Sequence, residues 1–184
     1  MTKKLVLLDR DGVINEESDE YIKSESEWIP IEGSIEAISR LCQADYRVVV
    51  VTNQSGIARG LLTIENLHAI HQRMQQTVAE SGGRIDAVFI CPHKPDDDCD
   101  CRKPRPGMLH SVMERLDTEL VGVPLVGDSL RDVQSAMVVG ASPVLVRTGH
   151  GARTLEQNPH LENVAVFDDL AGFVDDLLES TADK

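Results

Sequence analysis

Four residues near the middle of the chain have the types and the spacing of a metal site. They follow the pattern Cys-x-His-x5-Cys-x-Cys and are Cys91, His93, Cys99 and Cys101. Three thiolates and one imidazole are a ligand set of closed, tetrahedral zinc sites. A disulfide is disfavoured, because three clustered cysteines leave one thiol without a partner. The pattern therefore predicts a structural Zn²⁺ site in a loop over residues 91–101.

Two basic residues, Arg102 and Lys103, follow this loop directly. A guanidinium group binds an oxyanion with a planar fork and an ammonium group binds it as a point charge, and both are common ways of holding phosphate. Zinc binding by Cys101 would fix the backbone on one side of the pair, and Pro104 stiffens it on the other. We therefore expect an anion-binding position beside the zinc loop.

Pairs of acidic residues, with which these cations could interact, occur at two other places along the chain. Asp9 and Asp11 follow the first apolar run of the chain, and Asp128 and Asp132 follow a later one. Crowded carboxylates repel one another unless a cation lies between them, and Mg²⁺ prefers one or two carboxylates together with water and a phosphate oxygen. We expect Asp128 to bind the metal directly. Asp132 would instead orient Lys103 or cap the helix that begins there.

Short apolar runs alternate with amphipathic stretches along the chain, which predicts strands of a buried parallel sheet connected by helices. The predicted strands are Leu5–Leu8, Val48–Val51, Ala87–Ile90, Pro124–Val126 and Val144–Val146. This order indicates an α/β fold with an open, doubly wound (Rossmann-like) parallel sheet. We expect residues 1–184 to form a single domain whose tail frays after about residue 179.

Polar segments follow three of the predicted strands. These segments begin at Asp9, at Thr52 and at Asp128. In open α/β sheets, ligands bind beyond the carboxyl ends of the strands, where the order of the strands reverses. The sequence therefore predicts one site built from all three segments. For Thr52-Asn53-Gln54-Ser55, the alternative is an ordinary turn whose polar groups serve only the turn.

The composition excludes several classes of function. Acidic residues outnumber basic ones 31 to 18, and the formal net charge of −13 disfavours a nucleic-acid surface. Aromatic residues make up only 3%, so platforms for stacking bases are scarce. No apolar run approaches the ~20 residues that cross a bilayer, and the N-terminus has no apolar signal segment. We expect a monomeric, cytoplasmic protein that binds neither nucleic acid nor membranes.

The motifs together resemble those of the haloacid-dehalogenase-like phosphohydrolases. The resemblance covers Asp-x-Asp-Gly after the first strand, a threonine after the second, a lysine, and Gly-Asp-x-x-x-Asp, from Asp9 to Asp132. It implies a phosphatase that requires Mg²⁺. The ion would be held by the carboxylates of Asp9 and Asp128 and by the backbone carbonyl of Asp11.

The same resemblance implies a mechanism through a covalent aspartyl phosphate. Asp9 would attack phosphorus as the nucleophile. Asp11 would protonate the leaving oxygen and then deprotonate the attacking water. Thr52, Asn53 and Lys103 would stabilise negative charge on the phosphoryl oxygens.

Within this superfamily, three segments resemble the heptose-bisphosphate phosphatases: residues 52–60, 91–93 and 99–108. The implied reaction removes the 7-phosphate of D-glycero-D-manno-heptose 1,7-bisphosphate, a step toward nucleotide-activated heptose for the lipopolysaccharide core. The partner would be this phosphosugar. The implied substrate contacts are Ser18, Asp19, Glu20, Tyr21, Asn53, Gln54, Ser55 and Arg102.

Three alternatives stay open. Histidinol-phosphate phosphatases have a similarly short zinc loop, but their substrate carries a cationic amine and would require acidic groups at the entrance. A bisphosphate would instead require cations there, from Arg102 with Arg59 or Arg105. Polynucleotide 3′-phosphatases share the Thr-Asn-Gln and Arg-Lys-Pro segments. The last alternative is a zinc-organised module that binds phosphosugars without catalysis.

The spacing of the motifs leaves no room for a separate cap domain. The intervals from Asp11 to Thr52 and from Thr52 to Lys103 are already filled by predicted helices, strands and the zinc loop. We therefore expect a capless core. Its specificity would depend on residues 15–30, on residues 53–60 and on the zinc loop.

Overall fold

Six parallel strands form one sheet at the centre of the computed structural model, which describes residues 4–161 and 163–182. The strands are β1 (Leu5–Leu8), β2 (Arg47–Asn53), β3 (Ala87–Cys91), β4 (Pro124–Gly127), β5 (Ser142–Val146) and β6 (Ala165–Phe167). Their order across the sheet is β3-β2-β1-β4-β5-β6. The predicted open, doubly wound fold is confirmed. Because the order reverses between β1 and β4, the carboxyl ends of these two strands open a crevice.

Helices cover both faces of the sheet. They are α1 (Ser34–Gln43), α2 (Ile64–Glu80), α3 (Gly107–Leu116), α4 (Leu130–Val138), α5 (Gly151–Gln157) and α6 (Leu170–Ala182). Successive side chains of β1 point to opposite faces: Val6 and Leu8 pack with residues of α1, α2 and α6, whereas Leu5 and Leu7 pack with residues of α3 and α4. The alternating sequence thus fills two apolar layers that hold the strands, and therefore the strand ends, in fixed positions.

Helix α2 shows how closely the apolar pattern determines an element. Its buried side chains are Leu67, Ile70, Met74 and Val78, which are the four predicted from their helical spacing. The Thr63 side chain accepts a hydrogen bond from the backbone N–H of Asn66 and so begins the helix. The chain leaves α2 through Gly82, whose φ of +81° lies in the left-handed region that glycine adopts readily.

One feature of the fold differs from the sequence prediction. Strand β6 (Ala165–Phe167) was not predicted, because it is three residues long and lies at the edge of the sheet without a continuous buried run. Helix α6 continues to Ala182, and the fraying expected after about residue 179 stays a prediction. Residues 183 and 184 of the predicted tail lie outside the described part of the chain. Within residues 4–161 and 163–182, no helix combines the length and the apolar character needed to cross a membrane.

Candidate active site

The side chain of Lys103 lies at the centre of the crevice between β1 and β4. Its ammonium nitrogen is 3.0 Å from Asp9 Oδ2 and 2.6 Å from Asp132 Oδ1, and it donates to the carbonyl oxygen of Val51 at 2.8 Å. Burial alone would lower the pKa of this side chain, which is only 1% exposed, but Asp132 and Asp9 raise it to about 12. Lys103 therefore stays charged and supplies a fixed cation beside Asp9.

Asp132 has both of the contacts that the sequence suggested for it. One carboxylate oxygen binds Lys103, and the other accepts hydrogen bonds from the backbone N–H and the hydroxyl of Ser129 at 3.1 and 2.5 Å. Ser129 precedes α4, so this contact caps the helix. Burial would raise the pKa of Asp132, but the charge of Lys103 and these hydrogen bonds lower it. Asp132 is an ionised partner of Lys103.

Asp9 and Asp128 are the two carboxylates that Lys103 does not fully neutralise. Burial raises the pKa of Asp9 to about 8, and Asp132, Asp128 and Asp11 add to the increase while Lys103 opposes it. Burial and Asp132 raise the pKa of Asp128 to about 7. Oxygens of Asp9, Asp128 and Asp132 lie within 4.8 Å of one another. Two carboxylates that are only partly neutralised at this spacing fit a hard divalent cation such as Mg²⁺.

The loop after β5 holds Asp128 in place. The backbone N–H of His150 donates to Asp128 Oδ2 at 2.8 Å, and the Thr154 hydroxyl donates to the Asp128 carbonyl at 3.0 Å. Thr148 donates to the carbonyl of Gly12 at 2.6 Å and so ties the loop to β1. The sequence analysis did not identify this loop. Its signal was the polar, glycine-rich segment Thr148–Gly151 directly after the apolar run of β5.

Gly149 lies where a side chain would displace Asp128. Its φ is +55°, and a Cβ atom there would lie 2.3 Å from Asp128 Oδ2 and 2.6 Å from the Cα of Gly12. A side chain at Gly12 would also displace Asp128, since its Cβ atom would lie 2.2 Å from Asp128 Oδ2. Glycine at both positions lets two backbone segments close around one carboxylate.

Asp11 is surrounded by hydrogen-bond donors. The Arg10 guanidinium contacts both carboxylate oxygens, with Nη2 2.7 Å from Oδ1 and 3.0 Å from Oδ2. The side-chain amides of Asn15 and Gln54 donate to Asp11 at 2.9 and 2.8 Å. Burial would raise the pKa of Asp11, but Arg10 and these amides lower it. Gln54 also donates to the Thr52 hydroxyl at 3.0 Å, which joins two predicted site residues beneath the crevice.

Asn53 holds the backbone of Lys103. Its side-chain oxygen accepts from the Lys103 N–H, and its amide nitrogen donates to the Lys103 carbonyl, both at 3.1 Å. These two hydrogen bonds give Asn53 a positioning contact with the neighbouring loop. The contact of its amide with a phosphoryl oxygen stays a prediction, and Asn53 also lines the cavity described below.

The predicted zinc ligands lie together, and two of their three sulfur–sulfur distances match those of a tetrahedral zinc site. The sulfur atom of Cys91 is 3.6 Å from that of Cys99 and 3.0 Å from that of Cys101, and Cys99 and Cys101 are 3.7 Å apart. The Nδ1 atom of His93 is 3.3 Å from the Cys101 sulfur. Zinc–sulfur bonds of about 2.3 Å at tetrahedral angles separate thiolates by about 3.7 Å. The four side chains therefore fit Zn²⁺.

A cavity of about 300 Å³ opens beside Asp11, Asn53 and Gln54. It is lined by Asp11, Glu17, Ser18, Asp19, Tyr21, Ile22, Asn53, Gln54, Ser55, Arg59, Pro95, Arg102, Arg131 and His150. Of the predicted contact residues, Glu20 is exposed and does not line the cavity. The sequence analysis missed Glu17, Arg131 and His150. They come from different segments of the chain, and no local motif marks them.

The cavity carries three arginines without a carboxylate partner among the described residues: Arg59, Arg102 and Arg131. Burial lowers the pKa of Arg102, and the charges of Arg131 and Arg59, which line the same cavity, lower it further. By contrast, Arg105 forms an ion pair with Asp98 and does not line the cavity. In a chain of net charge −13, unpaired cations at one place indicate an anion-binding site.

Comparisons with known proteins agree with this geometry. A family model described as polynucleotide kinase 3 phosphatase matches residues 4–131, and one described as HAD-hydrolase-like matches residues 100–173. The chain thus shares the phosphatase domain that the first model describes. A D-glycero-β-D-manno-heptose-1,7-bisphosphate 7-phosphatase of Bordetella bronchiseptica is 53% identical over 176 residues, which cover 96% of this chain and 98% of that protein.

The chain belongs to the D-glycero-β-D-manno-heptose-1,7-bisphosphate 7-phosphatase family. A protein of the same name from Pseudomonas aeruginosa is 52% identical over 179 residues and is covered completely (100%). The crystal structure of D,D-heptose 1,7-bisphosphate phosphatase from B. bronchiseptica, complexed with magnesium and phosphate, matches with a TM-score of 0.93. That match has 52% identity and covers 96% of this chain and 99% of the other. The predicted resemblance to the superfamily and to this family is confirmed.

The loop after β5 gives a first testable prediction. We expect Gly149→Ala to raise the Mg²⁺ concentration needed for half-maximal activity by about tenfold or more, because the new methyl group displaces Asp128. The matched control is Gly122→Ala. Gly122 has a φ of +73° but nothing within 4 Å of its Cβ position. Gly122→Ala therefore introduces similar backbone strain without a steric clash. Mg²⁺ titrations of activity on both variants would test this; equal affinities would contradict the role of Gly149.

Proposed function

We propose that the chain is a Mg²⁺-dependent phosphoric monoester hydrolase that removes the 7-phosphate of D-glycero-β-D-manno-heptose 1,7-bisphosphate. Residues 1–184 would act as one capless domain. The observation that carries the proposal is the position of Asp9. It lies 3.0 Å from the buried ammonium group of Lys103, at the point where the order of the strands reverses. Relatives named heptose-1,7-bisphosphate 7-phosphatase are similar to this chain over nearly its whole length. The β configuration follows the names of those relatives.

In the first half of the reaction, an Asp9 carboxylate oxygen bonds to phosphorus, and the bond between phosphorus and the sugar oxygen breaks. Asp11 gives its proton to that oxygen. Lys103 and the Thr52 hydroxyl stabilise negative charge on the phosphoryl oxygens. Mg²⁺ held by Asp9, Asp128 and the Asp11 carbonyl supplies additional positive charge that offsets the repulsion between the carboxylate nucleophile and phosphate.

In the second half, water replaces Asp9 on phosphorus. A water oxygen bonds to phosphorus, the bond to the Asp9 oxygen breaks, and the water proton passes to Asp11. This step regenerates the Asp9 carboxylate and releases inorganic phosphate. The donors around Asp11 suit this half of the reaction, because they stabilise the ionised carboxylate that accepts the proton.

The three unpaired arginines favour a bisphosphate over the alternative substrates. Arg102, Arg131 and Arg59 would bind the far phosphate, and the acidic Glu17 and Asp19 in the same cavity would bind sugar hydroxyls. Histidinol phosphate offers a cationic amine, which three arginines would repel. A polynucleotide would need a basic surface beyond the cavity, and the net charge of −13 disfavours one.

We propose a structural role for Zn²⁺ bound by Cys91, His93, Cys99 and Cys101. The zinc loop ends where Arg102 and Lys103 begin, and Arg102 donates to the carbonyl of His93 at 3.1 Å. Zinc binding would therefore fix Arg102, which would bind the far phosphate, together with Lys103, which would contact the transferred phosphoryl group. A monomeric state, a cytoplasmic location and the lack of nucleic-acid or membrane partners stay predictions from the sequence.

Replacing the nucleophile tests the mechanism. Asp9→Asn keeps the shape of the side chain but removes its charge, so we expect turnover of the heptose bisphosphate to fall by at least ~10³. Inorganic phosphate release in the presence of Mg²⁺ measures this, with the melting temperature as a check on folding. Activity within tenfold of the unmodified protein would rule out the covalent role of Asp9, and no release by the unmodified protein would rule out an enzyme.

Metal analysis tests the zinc proposal. We expect about one zinc per chain to survive dialysis, whereas magnesium should not, because thiolates bind Zn²⁺ far more tightly than carboxylates bind Mg²⁺. Cys99→Ser should lower zinc content, melting temperature and activity together. Cys42→Ser is the matched control, since Cys42 is the one cysteine outside the cluster. Zinc-free protein with full activity and an unchanged melting temperature would refute the structural role.

Arginine variants test the choice of substrate. Arg102→Ala and Arg131→Ala should each lower kcat/KM for the bisphosphate about tenfold or more, because each removes a charge-assisted contact worth about 1.5–3 kcal/mol. Both should affect an aryl monophosphate much less. Lys103→Ala should harm both substrates alike, and Arg105→Ala, whose arginine is paired with Asp98, should affect neither. Equal losses on both substrates for Arg102→Ala would remove the main support for a bisphosphate.

A further inference from the structure

Arg10 is buried between the two proposed catalytic carboxylates and is one of the donors that stabilise ionised Asp11. Its side chain is 1% exposed. Its backbone N–H donates to Asp9 Oδ1 at 2.7 Å, and its guanidinium contacts both oxygens of Asp11. The orientation of the Asp11 carboxylate therefore depends on the orientation of the Arg10 guanidinium.

A second side chain fixes this guanidinium. Nη1 of Arg10 lies 3.2 Å from Nε2 of His71. A guanidinium group can only donate hydrogen bonds, so Nε2 accepts and the proton of the neutral imidazole lies on Nδ1. Burial and the charge of Arg10 lower the pKa of His71 to about 4, so the imidazole remains an acceptor near neutral pH.

His71 is itself held by a rigid element. It lies in the middle of α2, directly after Ile70 and one turn after Leu67, and both of these side chains are buried in the core. A line of contacts thus runs from the core-facing side of α2 through His71 and Arg10 to Asp11. Asn15 and Gln54 also donate to Asp11, but among the side chains that the structure describes, only Arg10 continues the contact to α2.

We propose that His71 is a positioning residue that acts through Arg10 to hold the Asp11 carboxylate for the step in which it accepts a proton. The proposal rests on the aspartyl-phosphate mechanism above. In that step a water oxygen bonds to phosphorus, the bond between phosphorus and the Asp9 oxygen breaks, and the water proton goes to Asp11. Donors at both Asp11 oxygens suit the unprotonated carboxylate that this step requires.

Removing the acceptor tests the proposal. His71→Leu should lower kcat about tenfold, because the guanidinium that orients Asp11 loses a partly buried hydrogen bond. The release of the first product, followed in a rapid-quench experiment with p-nitrophenyl phosphate, should change less than twofold, so kcat/KM should stay unchanged and KM should fall together with kcat. Phosphoenzyme trapped by acid at steady state should therefore rise several-fold above its level in the unmodified protein.

Two further substitutions separate positioning from a purely structural role. His71→Gln keeps an acceptor at about the reach of Nε2 and should restore kcat to within threefold, whereas His71→Asn is too short and should not. His68→Leu is the matched control, since His68 is exposed and lies one turn earlier on α2. It should leave kcat and phosphoenzyme unchanged. Urea unfolding of all variants shows whether a loss of kcat is caused instead by a loss of stability.

The outcomes distinguish this inference from the proposed function. If the unmodified protein releases no phosphate, the proposed function fails. If it turns over but His71→Leu lowers kcat without raising trapped phosphoenzyme, or His71→Gln restores nothing, the inference fails. Nitrogen NMR of the histidine side chains gives a readout that is independent of activity: a His71 proton on Nδ1 supports the contact with Arg10, and a proton on Nε2 overturns it.

Discussion

The buried ammonium group of Lys103 is the interaction on which the site depends. It joins the end of β1 through Asp9, the end of β2 through the carbonyl of Val51, and the start of α4 through Asp132. A buried charge is costly unless it is paired, and the loss of one partner leaves the other uncompensated. The three segments and the loop that carries Lys103 are therefore stable only in one relative arrangement, which is also the arrangement that the proposed chemistry requires.

The backbone around Lys103 is fixed independently of its charge. Asn53 holds the peptide groups of Lys103 from the side of β2, and the zinc loop ends two residues earlier at Cys101. The adjacent residue, Arg102, points into the cavity while Lys103 points beneath it. One short segment can thus serve both phosphates of the proposed substrate, which explains why a zinc site would lie here and not elsewhere in the fold.

Local patterns predicted most of the fold, whereas contacts between distant segments were not predictable. The apolar run of β1 and the helical stripe of α2 were identified because their burial follows from spacing alone. Arg131 and His150 reach the cavity only because β4 lies beside β1 and β5 lies beside β4, and the sequence pattern does not give this order. The contact between the Asn53 amide and the Lys103 backbone was also not predicted. Residue type shows what a side chain can bind but not which neighbour it contacts.

The pKa shifts of Asp9 and Asp11 run opposite to those that the first half of the proposed reaction requires. In the absence of a divalent cation, burial raises the pKa of Asp9, although the proposed nucleophile must be ionised, and hydrogen-bond donors lower the pKa of Asp11, although the proposed acid must carry a proton. A divalent cation between Asp9 and Asp128 lowers the pKa of both. Cation binding and loss of the Asp9 proton are then linked, so each favours the other. An anionic phosphate beside Asp11 has the reverse effect and raises its pKa. Binding of metal and of substrate therefore both move these pKa values toward the protonation states that the proposed attack on phosphorus requires.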